Sequence, residues 1–142
     1  MNLKKFKAAD FEFGPRIGKG KFGNVYLARD MKTNFLIAMK VLEKSLIRNL
    51  KAERQIVREI KIHSFLNHEN IIKLYGVFHD DDKIYMILEY APDGELYNEL
   101  KGMPMKKFDE PKASGYVKQV MHAFDYLHGL DIIHRDLKPE NL

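Results

Sequence analysis

The pattern of apolar and polar positions reads the first 90 residues mostly as strands, interrupted once by a helical period. Phe11, Phe13 and Ile17 fall on odd positions, which predicts a first strand. Pro15 lies inside it and confines that strand to a sheet edge or a strand end, because proline cannot donate to a ladder. Gly18 to Gly23 reads as a turn, Asn24 to Arg29 as a second strand and Phe35 to Leu42 as a third, with Met31 to Asn34 between them. From about Lys51 to Leu66 the spacing changes. Ile56, Ile60 and His63 share one face of a predicted helix, with Glu59 beside them. Leu74 to Phe78 and Lys83 to Tyr90 then read as strands joined by Asp80-Asp81-Asp82.

Ala91-Pro92-Asp93-Gly94 breaks the strand pattern. Beyond it the spacing predicts a helix over Glu95 to Lys101, a loop through Met103-Pro104-Met105, and a longer helix from Asp109 to Gly129. Tyr116, Val120, Ala123, Phe124 and Leu127 form the apolar stripe of the longer helix. Pro111 falls in its first turn, where a missing N–H costs nothing. The expectation is an α+β fold in two lobes: a tail over 1–10, an antiparallel sheet with one helix over 11–90, and a hinge with a helical lobe over 91–142.

Composition narrows the setting. A chain of 142 residues, 45% hydrophobic and 31% charged, suits a folded domain rather than a disordered one. Apolar runs are too short for a membrane span, no apolar segment follows the basic start as in a signal peptide, and there is no cysteine. An intracellular protein with no membrane partner is expected. The net charge of +4 comes from interspersed residues, so a solvated surface explains it better than a nucleic-acid footprint.

Gly18-Lys19-Gly20-Lys21-Phe22-Gly23-Asn24-Val25 fits G-x-G-x-x-G-x-V. Glycine lets backbone amides approach phosphate oxygens without a Cβ in the way. In a dinucleotide-binding fold the third glycine opens a helix and an acidic residue follows about 20 positions on. Here a strand follows, and the ionisable residue at that distance is Lys40, which excludes the oxidoreductase reading. Ile37-Ala38-Met39-Lys40 puts Ala38 and Lys40 on one strand face, room for a flat base beside a positive charge. Glu59, among inward-facing helix residues, is the candidate partner for Lys40.

His134-Arg135-Asp136-Leu137-Lys138-Pro139-Glu140-Asn141 fits H-R-D-x-K-x-x-N and is the most specific pattern in the chain. Phosphoryl transfer needs positioning and charge neutralisation more than covalent chemistry. Asp136 suits orientation of a substrate hydroxyl, Lys138 the charge on the transferring group, and Asn141 an oxygen ligand for the metal. The six histidines show no metal-site spacing.

With these motifs in this order, the chain from about Phe11 onward resembles a eukaryotic protein kinase domain, and Lys138 marks the Ser/Thr form of the loop. The stretches from Ile17 to Asp30, from Phe78 to Tyr97 and from Phe108 to Glu110 are most similar to the Aurora subfamily. Ile-Ala-Met-Lys in place of Val-Ala-Ile-Lys, and a slightly longer loop over Lys101 to Met105, are the departures. The resemblance implies ATP and Mg²⁺ as cofactors and protein Ser/Thr hydroxyls as substrates. It also implies nucleotide contacts from Ile17, Gly18, Lys19, Gly20, Lys21, Phe22, Gly23, Asn24, Val25, Ala38 and Lys40. Leu88 would be the gatekeeper, Glu89 and Ala91 the hinge, and Glu95 a neighbour of the ribose. His63, Leu74 and His134 would join an internal spine.

By Aurora analogy, mitotic spindle or chromosomal activator proteins are implied partners, in cytoplasm or nucleus. A whole domain of this family has about 250 residues or more, with a D-F-G whose Asp holds Mg²⁺. The 142 residues contain no D-F-G. The expectation is therefore that these 142 residues do not transfer phosphate alone and serve instead as a nucleotide- or protein-binding module. The long helix would keep an uncovered apolar stripe, an aggregation risk.

Overall fold

The computed structural model describes residues 6–142, so the first half of the expected N-terminal tail lies outside the described residues. The chain divides into two compact units. The first comprises the residues up to Asn67 together with Ile72–Tyr90, and the second His68–Ile71 with Ala91–Leu142.

The first unit is built on strands β1 (Phe11–Gly20), β2 (Gly23–Asp30), β3 (Leu36–Glu43), β4 (Leu74–His79) and β5 (Lys83–Leu88), with helices α1 (Lys44–Asn49) and α2 (Glu53–Phe65). All pairings are antiparallel and the order is β1-β2-β3-β5-β4. The α+β expectation with an antiparallel sheet holds. β1 is an edge strand with register shifts between Phe13 and Gly18, where Pro15 removes a donor. β5 ends at Leu88, two residues before the expected end.

Strand β3 is buried on both faces, and its alternation sorts the core into two layers. Ile37, Met39 and Val41 pack with Phe11, Ala28, Tyr85 and Ile87 on one side. Leu42 packs on the other with Phe22, Met86, and Ile47, Ala52 and Ile56 of the helical segment. On the first side, Phe11, Phe78 and Tyr85 form a stack, with centroids 5.8 and 4.6 Å apart and planes nearly parallel. The Tyr85 hydroxyl donates to Asp80 Oδ2 at 2.8 Å, tying the stack to the β4–β5 turn.

One α-helix went unforeseen. Helix α1 turns the chain directly from β3 toward α2 and buries Ile47. Leu46, Ile47 and Leu50 carry helical spacing, but six residues are under two turns and too few for periodicity to register.

The second unit contains α3 (Leu96–Gly102) and α4 (Glu110–Gly129). Asp109 caps α4 by accepting from Lys112 N at 2.9 Å, and Pro111 sits in the first turn as expected. Ala123 and Leu127 of the predicted stripe are buried. Lys112 Nζ and the Tyr116 hydroxyl both donate to the Glu99 carboxylate, joining α3 to α4. Residues His68–Ile71 belong to this unit: Asn70 Nδ2 donates to Gln119 Oε1 at 3.3 Å, and the His68 and Tyr126 rings lie 5.1 Å apart.

Burial, followed by the hydrogen bond to Asp80, pushes the Tyr85 phenol up to about 12 from 10.0. The folded state therefore holds this proton more tightly than the unfolded chain. Its contribution to stability is complete below pH 10 and is lost as pH rises toward 12. Tyr85→Phe should cost about 1 kcal/mol at neutral pH and flatten the loss of stability above pH 10. Denaturant unfolding at a series of pH values checks this. An unchanged alkaline slope in the variant would contradict it.

Candidate active site

The glycine-rich segment forms the hairpin between β1 and β2. Gly20 pairs with Gly23, Lys19 with Asn24 and Gly18 with Val25, so only Lys21 and Phe22 make the turn. The three glycines are there for different reasons. A Cβ on Gly23 would lie 1.9 Å from the Val41 carbonyl oxygen, so the close approach of β2 to β3 excludes any side chain. A Cβ on Gly18 would meet only Val25 at 3.5 Å, and one on Gly20 only the Gly23 carbonyl at 3.7 Å, both ordinary contacts. Neither has a left-handed backbone. The fold itself does not require glycine at positions 18 and 20.

Strand register places the adjacent candidates on one face. Val25 lies opposite Lys40 and Ala38 opposite Leu88, and directly opposed residues of antiparallel strands share a face. Ala38 supplies a small side chain there and Lys40 a cation. Lys40 Nζ donates to Glu59 Oε1 at 3.1 Å, which selects Glu59 over Glu53 of the same helix. The two side chains are 31% and 44% exposed. A pair this wet contributes about 0–1 kcal/mol to stability, so what it provides is orientation. His63 Nε2 lies 2.7 Å from the Ile72 carbonyl oxygen, fastening the end of α2 to the chain entering β4.

Phe22 departs from its grouping with the phosphate-facing residues. Its side chain turns inward and is 9% exposed, in the cluster with Ile47, Ala52 and Ile56. Ile17 and Lys19 are open to solvent, as is Lys21, whose ammonium lies 5.3 Å above the Phe22 ring. At the end of the first unit, Glu89 N donates to Lys73 O at 2.9 Å, and its carboxylate accepts from Lys73 N at 3.0 Å.

In the second unit Ala91 is exposed and Glu95 is the N-cap residue of α3, within reach of Asn98 Nδ2 at 3.5 Å. The remaining candidates form a tight group after α4. Lys138 Nζ lies 3.0 Å from Asp136 Oδ2. Asn141 Nδ2 donates to the same oxygen at 3.0 Å and to the Asp136 carbonyl at 2.7 Å. Arg135 has φ 67, a left-handed turn that a non-glycine residue adopts at a cost of roughly 1–2 kcal/mol. It is followed by a hydrogen bond from Asp136 N to His134 Nδ1 at 3.3 Å. The Lys138 ammonium, then the Asn141 amide, holds the Asp136 carboxyl below the ordinary carboxylate range.

A protein kinase domain model matches residues 11–142. The chain belongs to the protein kinase family. Among curated proteins, an Aurora kinase of Patiria pectinifera is 50% identical over 138 residues, 97% of this chain and 34% of that protein. An Aurora kinase of Schizosaccharomyces pombe is 50% identical over 139 residues, 98% of this chain and 39% of that protein. Serine/threonine-protein kinase Aurora-1 of Arabidopsis thaliana is 48% identical over 139 residues, 98% and 47%. This kinase chain thus spans between about a third and a half of the relatives it matches.

Sequence reasoning missed the floor beneath the glycine hairpin. Ile47 lies in a short helix that periodicity did not resolve, and Ala52, at the start of the expected helix, was not singled out as core, although the Phe between two motif glycines was a signal that something apolar must receive it. Gly23→Ala should lower stability by about 3 kcal/mol or more through the clash with Val41, whereas Gly18→Ala and Gly20→Ala should stay within about 0.5 kcal/mol. Thermal melts of the three variants separate these outcomes, and equal losses at all three positions would contradict the distinction.

Proposed function

We propose that the chain supplies the nucleotide-holding and phosphoryl-transfer residues of an ATP- and Mg²⁺-dependent Ser/Thr protein kinase. The observation that carries this reading is Lys40, held by Glu59 at 3.1 Å on the sheet face shared with Val25, Ala38 and Leu88. In it, the amides of Gly18 and Gly20 receive phosphate oxygens, Lys40 neutralises them, and Ala38 leaves space for adenine, with Leu88 as gatekeeper and Glu89 and Ala91 as its backbone partners. Ile17, Lys19, Lys21, Asn24 and Val25 line the nucleotide, Phe22 acts through its backbone, and Glu95 approaches the ribose. The sheet-rich unit is the ATP-binding lobe and the helical unit the start of the substrate lobe.

Asp136 orients the substrate hydroxyl and Lys138 faces the transferring phosphoryl group. With both Asn141 amide hydrogen bonds drawn by Nδ2 to Asp136, its carbonyl oxygen remains as a hard donor of the kind Mg²⁺ selects. Among the described residues no group of three acidic or histidine side chains is placed to hold a metal. Asn141 would supply one oxygen ligand to Mg²⁺, which when bound would neutralise phosphate charge.

No helix among the described residues is long and apolar enough to cross a membrane. An intracellular kinase phosphorylating proteins, with mitotic spindle or chromosomal activators as partners, is the reading supported by similarity to Aurora kinases.

Titration calorimetry with Mg·ATP tests the nucleotide site directly on the 142 residues. The chain should bind, and Lys40→Met should weaken binding by about tenfold or more at an unchanged melting temperature. No binding by the unaltered chain sinks the reading. In the longer protein, Asp136→Asn should reduce peptide phosphorylation by about a thousandfold, and wild-type turnover in that variant refutes the assignment of Asp136. If the 142 residues bind Mg·ATP yet move no phosphate to a peptide, they act as the nucleotide-binding module.

A further inference from the structure

The tip of a hairpin is ordinarily its most exposed part. Here Lys21 is exposed, but Phe22 beside it is 9% exposed. It shares a buried cluster with Leu42 of β3, Met86 of β5, Ile47 of α1, Ala52 before α2 and Ile56 within it. Ile56 lies three residues from Glu59, close to one helical turn. The backbone makes a second connection: Glu43 N, at the junction of β3 and α1, donates to the Phe22 carbonyl at 2.9 Å. A third is steric, because Gly23 lies so close to the Val41 carbonyl that the base of the tip cannot slide over β3.

We propose that Phe22 is a positioning residue that couples the glycine hairpin to α2 and so sets the Lys40–Glu59 pair. The inference rests on the nucleotide-site reading for its functional meaning, though not for its geometry. An ion pair about a third to a half exposed is too weak to place a 13-residue helix. The apolar contacts beneath α2 must do that, and Phe22 is the one member of the cluster contributed by the glycine hairpin. Lifting the hairpin withdraws an aromatic ring from under α2; seating it presses the helix into the register in which Glu59 reaches Lys40. Phosphate contacts at the hairpin amides and the ion pair on the sheet face thus respond to one side chain. The Phe22 side chain needs no contact with nucleotide.

Acylation of Lys40 by an amine-reactive ester, followed by mass spectrometry on the nucleotide-free 142-residue chain, reads the ion pair without requiring ATP binding. Glu59→Gln sets the scale for a released Lys40. Phe22→Ala should raise Lys40 labelling at least about threefold, toward the Glu59→Gln level, and weaken Mg·ATP binding about tenfold; Phe22→Leu should restore most of both. Phe11→Ala, in the opposite core layer, should lower the melting temperature comparably while leaving Lys40 labelling unchanged. Should Phe22→Ala not fold, Phe22→Val is judged by the same criterion. Wild-type labelling of Lys40 in the folded Phe22 variant overturns the coupling, as does an equal rise in Phe11→Ala. If labelling rises but the unaltered chain binds no Mg·ATP, the coupling stands and the nucleotide reading fails.

Discussion

A lysine in the middle of the most buried strand is the constraint on which the sheet-rich unit turns. Ile37, Ala38, Met39, Val41 and Leu42 are all buried, and Lys40 interrupts them. An ammonium group there needs both a counter-charge and a route to solvent, since an unpaired buried charge is costly. Both are provided: the side chain stays about a third exposed and Glu59 meets it at 3.1 Å. Such a wet pair adds little to stability, so its geometry has to come from elsewhere. It comes from the apolar side of α2, where Ile56 packs with Ile47, Ala52, Leu42 and Phe22. Packing fixes the helix, and the helix presents the carboxylate. A cation held in this way remains available to a ligand that can outbid water.

The helical unit solves a different problem with local means. Asp136, Lys138 and Asn141 lie within a stretch of six residues, so backbone turns and short hydrogen bonds do what a sheet and helix do for Lys40 and Glu59. The left-handed Arg135 directs the chain at Asp136, and both Lys138 and Asn141 return to the same carboxylate oxygen. The electrostatic result is a carboxylate more acidic than usual, fully ionised near neutral pH. Such a group is a weak general base. In the proposed phosphoryl transfer, orientation of the hydroxyl by this carboxylate would matter more than early removal of its proton.

Much of this was legible in the residues. Short strand-like runs bounded by turn residues located the five strands of the first unit, and Asp109 with Pro111 marked the start of α4 within a residue. The fixed spacing of Asp136, Lys138 and Asn141 identified a group that the structure does bring together. The pairing of Lys40 with Glu59 over Glu53 followed from the helical face. What stayed hidden depends on short or long-range features. Helix α1 is under two turns and has no period to read. The end of β5 at Leu88 coincides with the first residue of β4, Leu74, opposite it, a long-range match that no local pattern encodes. The inward turn of Phe22 depends on a pocket made from residues 20 to 64 positions away in sequence.

The three glycines show why a motif and its structural reason can diverge. G-x-G-x-x-G reads as one unit, but only Gly23 is demanded by the chain's own packing, against the Val41 carbonyl. Gly18 and Gly20 have space for a methyl group and no unusual backbone angle. Glycine in a strand sacrifices packing and conformational entropy relative to alanine, so its presence at two positions where the fold would accept a side chain is a cost without an internal return. A return exists only if something outside the chain must come within backbone distance of the hairpin. A polyanion meets that condition, because it draws close to peptide N–H groups and is neutralised by the lysine on the adjoining sheet face. On the proposed nucleotide reading, the motif divides into one glycine that the sheet itself requires and two whose return would come from a ligand.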